Sequence, residues 1–126
     1  EWRCDVPVSS EPSIAGAREV DWHNGLAAQT DFFVRERRED GTSLVEARLH
    51  SGRTNQIRVH LWHLGHPICG DATYLPGQQL GGTQTLDCGA GSLCLHAWRL
   101  KFWHPWHQQE LLFESIEPSW VAIGSR

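Results

Sequence analysis

The chain has 126 residues, which is the length of one ordinary domain and leaves no room for a second full domain. Its formal net charge of −4 argues against a protein that holds nucleic acid by bulk attraction. No apolar run reaches the roughly 20 residues of a membrane span and no secretory signal opens the chain, so we expect a soluble, cytoplasmic protein without membrane partners.

The composition carries two further indications. The chain contains no Met and begins with Glu1, which indicates a segment of a larger polypeptide. Its four Cys residues are too sparse for a disulfide scaffold, so we expect thiols. Positive charge is concentrated between residues 35 and 66, which hold six Arg against four acidic residues. Arg binds phosphate or carboxylate through two parallel hydrogen bonds, which makes this segment the first place to look for a site.

Turn-forming residues dominate the beginning of the chain, so residues 1–28 are predicted to be an irregular lead-in in which no core element starts. Two strands are predicted next, at residues 29–37 and 43–50, because aromatic and β-branched residues fill the first and apolar residues alternate along the second. Between them lies Glu39-Asp40-Gly41, and Asp-Gly between two such runs indicates a hairpin.

A helix over residues 54–64 is predicted after this hairpin. Ile57, Leu61 and Leu64 recur at helical spacing and would form its buried stripe, with Thr54 as N-cap and Gly65 as the end. Residues 76–93 hold five Gly and are predicted to form a long Gly-rich loop.

Two more strands, at residues 93–103 and 111–115, are predicted to pair through a turn at residues 104–109. We expect Trp98 and Trp103 to lie in the core, because strand aromatics usually pack there. Strands on both sides of one short helix define an α+β class with a mostly antiparallel or mixed sheet, and residues 1–126 form a single domain in this interpretation.

The candidate chemistry centres on the predicted helix. Arg58 follows apolar Ile57 and lies at the rim of the stripe, where a partly desolvated cation needs a carboxylate or phosphate partner. Arg53 and Thr54 stand at the helix start, where backbone N–H groups can hold a phosphate. An ordinary solvated Arg and an ordinary helix cap explain the same residues without any function.

Three blocks of sequence resemble the RluA family of RNA pseudouridine synthases, in order and at that family's spacing. They are Gly-Arg-Thr-Asn-Gln-Ile-Arg-Val-His-Leu at residues 52–61, Leu-Gly-His-Pro-Ile-Cys-Gly-Asp-Ala-Thr-Tyr at residues 64–74, and Leu95-His96-Ala97 with Leu100, Phe102, His104 and Pro105. The usual family form has His where Asn55 stands. The resemblance extends from about residue 27 onward, and it implies part of a pseudouridine synthase catalytic fold.

The resemblance implies an enzyme that isomerises uridine in rRNA or tRNA to pseudouridine, with no metal and no organic cofactor. It implies that Arg58 pairs with a catalytic Asp, that Leu95 lines the uracil site, and that substrate binding involves the polar residues Arg53, Thr54, Gln56, His60 and His96. The family's catalytic Asp stands in a His-Arg-Leu-Asp motif, and neither this motif nor the family's uracil-stacking Tyr motif occurs here. Asp71 falls at a structural position of the family, so Arg58 is expected to lack its partner and the chain to be inactive by itself.

Three hypotheses remain open at this point. In the first the chain is such an enzyme segment and in the second it is a non-catalytic RNA-binding remnant, and the aromatic residues Trp103, Trp106 and His107 offer stacking surfaces for bases in both cases. The third hypothesis is a zinc-stabilised interaction module. His and Cys are zinc ligands, and His60, His63, His66 and Cys69 recur every three residues, with Cys88, Cys94 and His96 downstream. Exposed sheet edges predict self-association of a chain that contains half of a sheet.

Overall fold

The computed structural model describes residues 1–82 and 93–123, which form two compact units. The first unit is Glu1–Cys94 and the second is Leu95–Arg126. The strands and helices in chain order are β1 (Trp2–Cys4), β2 (Thr30–Arg37), β3 (Ser43–Leu49), α1 (Gln56–His63), β4 (Tyr74–Leu75), β5 (Gln79–Leu80), β6 (Arg99–His104), β7 (Gln109–Glu114) and α2 (Ser119–Ile123). The α+β class is confirmed, and the strands pair antiparallel throughout the described ranges.

The first unit contains a three-stranded sheet in the order β1-β2-β3. The predicted hairpin is confirmed: β2 and β3 pair from Thr30 with Leu49 to Arg37 with Ser43, and a bulge follows Val34. Gly41 adopts a positive φ of 87° in the turn, a conformation in which a β-carbon is strained. The Asp40 carboxylate accepts hydrogen bonds from both the backbone and the hydroxyl of Thr42 and thereby fixes the turn.

Helix α1 follows β3 as predicted, but its start and its buried face differ from the prediction. Thr54 is not the N-cap; Asn55 takes that position with a φ of 59° and no capping side-chain bond. The end at Gly65 is confirmed, since Gly65 has a φ of 87° and the His66 and Gly65 amides bond to carbonyls of the last turn. The buried residues are Gln56, Val59, His60 and Leu61, whereas Leu64 of the predicted stripe is exposed.

The prediction of an irregular lead-in without core elements is wrong at several positions. Strand β1 pairs with β2 along the sheet edge, and Val8 is fully buried. Val8 also bridges to Val20 and Leu26, which folds the segment back on itself. Two apolar clusters result, and α1 contributes Val59 to one and Leu61 to the other. The lead-in therefore packs against α1 and completes the core. Its turn-rich sequence does not indicate this role.

The predicted loop at residues 76–93 begins within a short hairpin rather than a loop. Strand β4 pairs with β5 across a tight turn in which Gly77 has a φ of 74° and Gln78 one of 56°. The remainder of the predicted loop, from residue 83 to 92, lies outside the described residues.

The second unit contains an antiparallel hairpin of β6 and β7 and the short helix α2. The predicted pairing is confirmed, although the first strand begins at Arg99 rather than at residue 93. Leu100 and Phe102 face Phe113 and Leu111 across the pair, and the rings of Phe102 and Phe113 stack at 5.8 Å. Within the described ranges, no helix is long and apolar enough to cross a lipid bilayer.

Candidate active site

Arg58 on α1 forms a two-point ion pair with Asp71. Its Nε donates to Oδ2 at 2.8 Å and its Nη2 donates to Oδ1 at 2.9 Å. The Asp71 side chain is 0% exposed and that of Arg58 is 12% exposed. A buried pair of this kind is sensitive to the loss of either partner, because the remaining charge would be left desolvated.

The same carboxylate also shapes the chain that leads into β4. Oδ1 of Asp71 accepts hydrogen bonds from the backbone amides of Thr73 and Tyr74, both at 3.0 Å. Gly70 precedes it with a positive φ of 81°. Asp71 thus stabilises the turn by accepting from backbone amides and connects it to α1 through the guanidinium of Arg58.

Two further side chains contact the guanidinium of Arg58. Nη1 donates to Oδ1 of Asn55 at 3.3 Å, and the Cζ atom lies 4.8 Å from the centre of the Tyr74 ring. The Tyr74 hydroxyl donates to the Arg18 carbonyl and accepts from the Arg18 amide and the Asn55 side chain. Burial raises the pKa of Tyr74, so this ring stays neutral beneath the cation.

The expectation that Arg58 is left without a carboxylate is wrong, because Asp71 supplies one from within the chain. Its pairing with a catalytic Asp stays a prediction. Asp71 was assigned a structural position from the sequence, but neither its contact with Arg58 nor the contacts of Asn55 and Tyr74 with the same guanidinium were predicted. A recognisable signal existed: an Asp that follows a Gly and precedes two residues entering a strand is typical of a side-chain turn onto backbone amides.

Gln56 and His60 were predicted to bind substrate, but both are buried, at 3% and 0% exposure. Gln56 donates to the Gln29 carbonyl and the Thr30 hydroxyl, and its side-chain oxygen accepts from Ser51 and from the Arg53 amide. All four of its hydrogen-bonding positions are therefore occupied. These two residues hold the helix against β2 and have no surface to offer a ligand.

The ring of His60 completes this buried network. Nε2 lies 2.8 Å from the Val6 carbonyl, which can only accept, so Nε2 carries the proton. Nδ1 then accepts from the Thr30 hydroxyl at 3.0 Å, and that hydroxyl accepts in turn from Gln56. Burial lowers the pKa of His60, which is consistent with a neutral ring.

Arg53 and Thr54 are exposed, as residues in contact with a ligand need to be. The Arg53 Nε donates to the Ala27 carbonyl at 2.8 Å, which ties the loop before α1 to the end of the lead-in. An open cleft of about 360 Å³ lies beside this contact and is lined among others by Asp5, His50 and Arg53. The cleft brings one cation, one imidazole and one carboxylate to the same surface.

Leu95 and His96 belong to the second unit. Leu95 is 41% exposed, and Nε2 of His96 lies 2.7 Å from the Ser115 hydroxyl, which itself bonds to the Ala97 carbonyl. The predicted burial of Trp103 is wrong, since this side chain is 62% exposed, and Trp98 is only half-buried.

The zinc hypothesis has no geometric support in the part of the chain that the structure describes. No group of three His, Cys, Asp or Glu side chains converges there, and both ring nitrogens of His60 already have hydrogen-bond partners. No disulfide joins Cys4, Cys69 or Cys94. Cys88, which the hypothesis also used, lies outside the described residues.

Comparison with known proteins identifies the family. The chain is 38% identical over 118 residues to the uncharacterized RNA pseudouridine synthase YjbO of Bacillus subtilis. It is 38% identical over 120 residues to the ribosomal large subunit pseudouridine synthase D of Nitrosomonas europaea, and 36% identical over 109 residues to the dual-specificity RNA pseudouridine synthase RluA of Vibrio parahaemolyticus. No protein-family model matches the chain. The chain belongs to the RluA family of RNA pseudouridine synthases.

The matches cover most of this chain but less than half of each relative. They include 94%, 94% and 83% of the chain, and 38%, 34% and 41% of the length of YjbO, of synthase D and of RluA respectively. The chain therefore corresponds to one portion of those proteins.

Proposed function

We propose that this chain is the C-terminal part of the catalytic domain of an RNA pseudouridine synthase, which converts uridine in rRNA or tRNA to pseudouridine. The observation that carries the proposal is the 38% identity over 94% of the chain to two proteins named as RNA pseudouridine synthases. The α+β class with antiparallel strands supports it. In this proposal both units belong to one domain, and its partial synthase fold is completed by further polypeptide.

The residues divide into those that meet the substrate site and those that support it. Arg58 faces the catalytic carboxylate, which a His-Arg-Leu-Asp motif outside this sequence supplies, and Leu95 lines the uracil site. Arg53 and Thr54 contact the RNA backbone, an assignment that their exposure supports. His96 retains a place beside the substrate, whereas buried Gln56 and His60 act as scaffold.

A uridine stacked in RNA cannot present its glycosidic bond to a side chain, so the nucleotide must leave the stack at a cost of a few kcal/mol. Aromatic surfaces that hold unstacked bases offset this cost. The tip of the β6–β7 hairpin offers such a surface, since Trp106 is 88% and Trp103 is 62% exposed. His107 lies 4.3 Å from His104 between ring centres and extends the same aromatic tip. We assign this tip a role in stacking on bases of the substrate RNA.

A segment exchange tests the proposal. This chain would replace the matching 120 residues of the Nitrosomonas europaea synthase D, and the chimera would be assayed by tritium release from large-subunit rRNA labelled at C5 of uridine. We expect release by the chimera and none by the 126-residue chain alone. A chimera that folds and binds RNA without releasing tritium would contradict the proposal and favour the non-catalytic RNA-binding remnant. Release by the isolated chain would contradict the assignment of the carboxylate to another segment.

Two further expectations accompany the proposal. Strand β3 is an edge of its sheet, and edge strands present backbone groups that pair with other chains. We expect the isolated chain to self-associate; a monodisperse monomer in sedimentation would count against this. A cytoplasmic location stays a prediction, to be checked by fractionation of cells that express the native gene.

A further inference from the structure

We propose that Asp71 is a positioning residue for Arg58, holding its guanidinium in one orientation so that the cation also meets the catalytic carboxylate supplied by another segment. The catalytic role of this orientation rests on the proposed function, whereas the orientation itself is a property of this chain. The proposal starts from the two-point contact, in which Nε and Nη2 of Arg58 meet both oxygens of one buried carboxylate.

A two-point contact fixes more than a distance. Because the guanidinium is planar and its donors form a rigid fork, two parallel hydrogen bonds to one carboxylate set the plane of the group as well as its position. An Arg side chain otherwise distributes over many rotamers, so ordering it costs conformational entropy. Asn55 on Nη1 and the ring of Tyr74 beneath Cζ restrict the same group from other directions.

The carboxylate that does this is itself immobilised. Its Oδ1 accepts from the amides of Thr73 and Tyr74, and its side chain is fully buried. The Asp71 side chain therefore fixes the position of the guanidinium, which belongs to α1, relative to the start of β4. Oδ1 serves both the turn and Nη2 of Arg58, whereas Oδ2 contacts Nε of Arg58, so a substitution that alters only the second oxygen separates the two-point contact from the turn.

Asp71→Asn exploits that separation. The amide oxygen of Asn can take the place of Oδ1 and keep both backbone amides of the turn. The amide nitrogen then takes the place of Oδ2 and opposes its own N–H groups to the Arg58 Nε–H. The turn is retained and the two-point grip is lost.

The chain offers a matched control in Asp31→Asn. Asp31 makes the same two-point contact with Arg3, at 2.6 and 3.0 Å, but on an exposed face of the sheet. Asp31 also accepts from His50 and has no place in the proposed substrate site. A general effect of removing an Arg-bound carboxylate would appear in both variants, and an effect through Arg58 only in the first.

The first measurement follows the Nε–H resonance of Arg58 by NMR in the 126-residue chain, assigned by its disappearance in Arg58→Lys. We expect slow exchange with solvent in the wild type and in Asp31→Asn. In Asp71→Asn the signal should exchange faster and shift, while the amide signals of Thr73 and Tyr74 stay protected. Rapid exchange in the wild type, or an unchanged signal in Asp71→Asn, would overturn the proposal.

The second measurement uses the chimera described above. We expect Asp71→Asn to lower the turnover number about tenfold or more, since small displacements of a positioning group are costly, with KM for RNA within about threefold. Asp31→Asn should match the parent, and Asp71→Asn should add nothing in an Arg58→Lys background. Equal losses in both backgrounds would refute action through Arg58. A parent chimera without activity refutes the proposed function, and the NMR result alone then decides whether Asp71 orients Arg58.

Discussion

Acidification is expected to destabilise the first unit through His60. The ring is fully buried and its two nitrogens are committed to one acceptor and one donor, Val6 and Thr30. Burial therefore lowers the pKa of His60 in the folded state. The hydrogen bond to the Val6 carbonyl opposes this shift, and His63 and Asp5 add smaller contributions that lower and raise the pKa respectively. In the unfolded chain the imidazole titrates near its ordinary pKa of about 6.5.

The sign and the size of the effect follow from proton linkage. The pKa of His60 is lower in the folded state than in the unfolded chain. Its contribution to the free energy of unfolding is therefore fully present above pH 6.5, and it is lost as the pH falls below this value, until the folded ring is protonated as well. One proton taken up on unfolding changes stability by about 1.4 kcal/mol per pH unit. The loss attributable to His60 between pH 7.5 and pH 5 is thus at most about 2 kcal/mol.

Urea unfolding followed by tryptophan fluorescence, at pH 7.5, 6 and 5, measures this loss. His60→Gln removes the titrating group, at a cost of about 1–3 kcal/mol at pH 7.5 because a buried partner is left unsatisfied. We expect the difference in unfolding free energy between wild type and His60→Gln to shrink toward pH 5, while exposed His66→Gln keeps the wild-type slope. Parallel pH profiles for wild type and His60→Gln would refute a neutral buried imidazole.

Three further substitutions test the fold and the proposed RNA surface. Gly65→Ala, at a φ of 87°, should lower the unfolding free energy by about 1 kcal/mol, whereas Gly52→Ala, where a β-carbon meets open space, should leave it nearly unchanged in the same urea titrations. Phe32→Ala should cost about 3–5 kcal/mol by calorimetry or chemical unfolding, because the ring is fully buried. Trp106→Ala should weaken RNA binding by the chimera by about 1–3 kcal/mol in filter binding, whereas Trp22→Ala, at another exposed Trp, should not; equal losses would remove the hairpin tip from the interface.

Local signals predicted the secondary structure best where backbone conformation is decided by neighbouring residues. Asp40-Gly41 predicted the β2–β3 hairpin because few residues adopt the positive φ that the turn needs. Gly65 predicted the end of α1 for the same reason. The start of the helix was placed at Thr54 by residue preference, whereas Asn55 occupies the cap, since neighbouring polar residues compete for that position.

The buried face of α1 was predicted only in part. Leu61 is buried and Ile57 packs against the core, but periodicity counts only apolar residues. Gln56 and His60 are buried as well, since Gln29, Thr30 and Val6, which are distant in sequence, satisfy their hydrogen bonds. A polar side chain enters a core only when such partners exist, and no local pattern reveals them. The same limit applies to the lead-in, whose burial depends on contacts with α1.

Arg58 illustrates how far the site itself was predictable. Its position at the rim of a helix predicted the need for a carboxylate, while the identity of that carboxylate depended on a turn 13 residues away that brings Asp71 under the helix. The sequence therefore predicted that Arg58 needs an anionic partner but did not identify Asp71, because the pairing depends on the tertiary structure.

The pairing has a consequence for the pH dependence of the proposed enzyme. With Asp71 bound, Arg58 contributes a largely compensated charge, so it lowers the pKa of an incoming catalytic carboxylate less than an unpaired Arg would. In the chimera, Asp71→Asn removes the compensating charge and should move the acid limb of kcat/KM to lower pH, since that limb reports protonation of the essential carboxylate in the free enzyme. Asp31→Asn should leave the limb in place. If the acid limb of kcat/KM is unchanged or moves to higher pH in Asp71→Asn, Arg58 acts on the substrate rather than on the carboxylate.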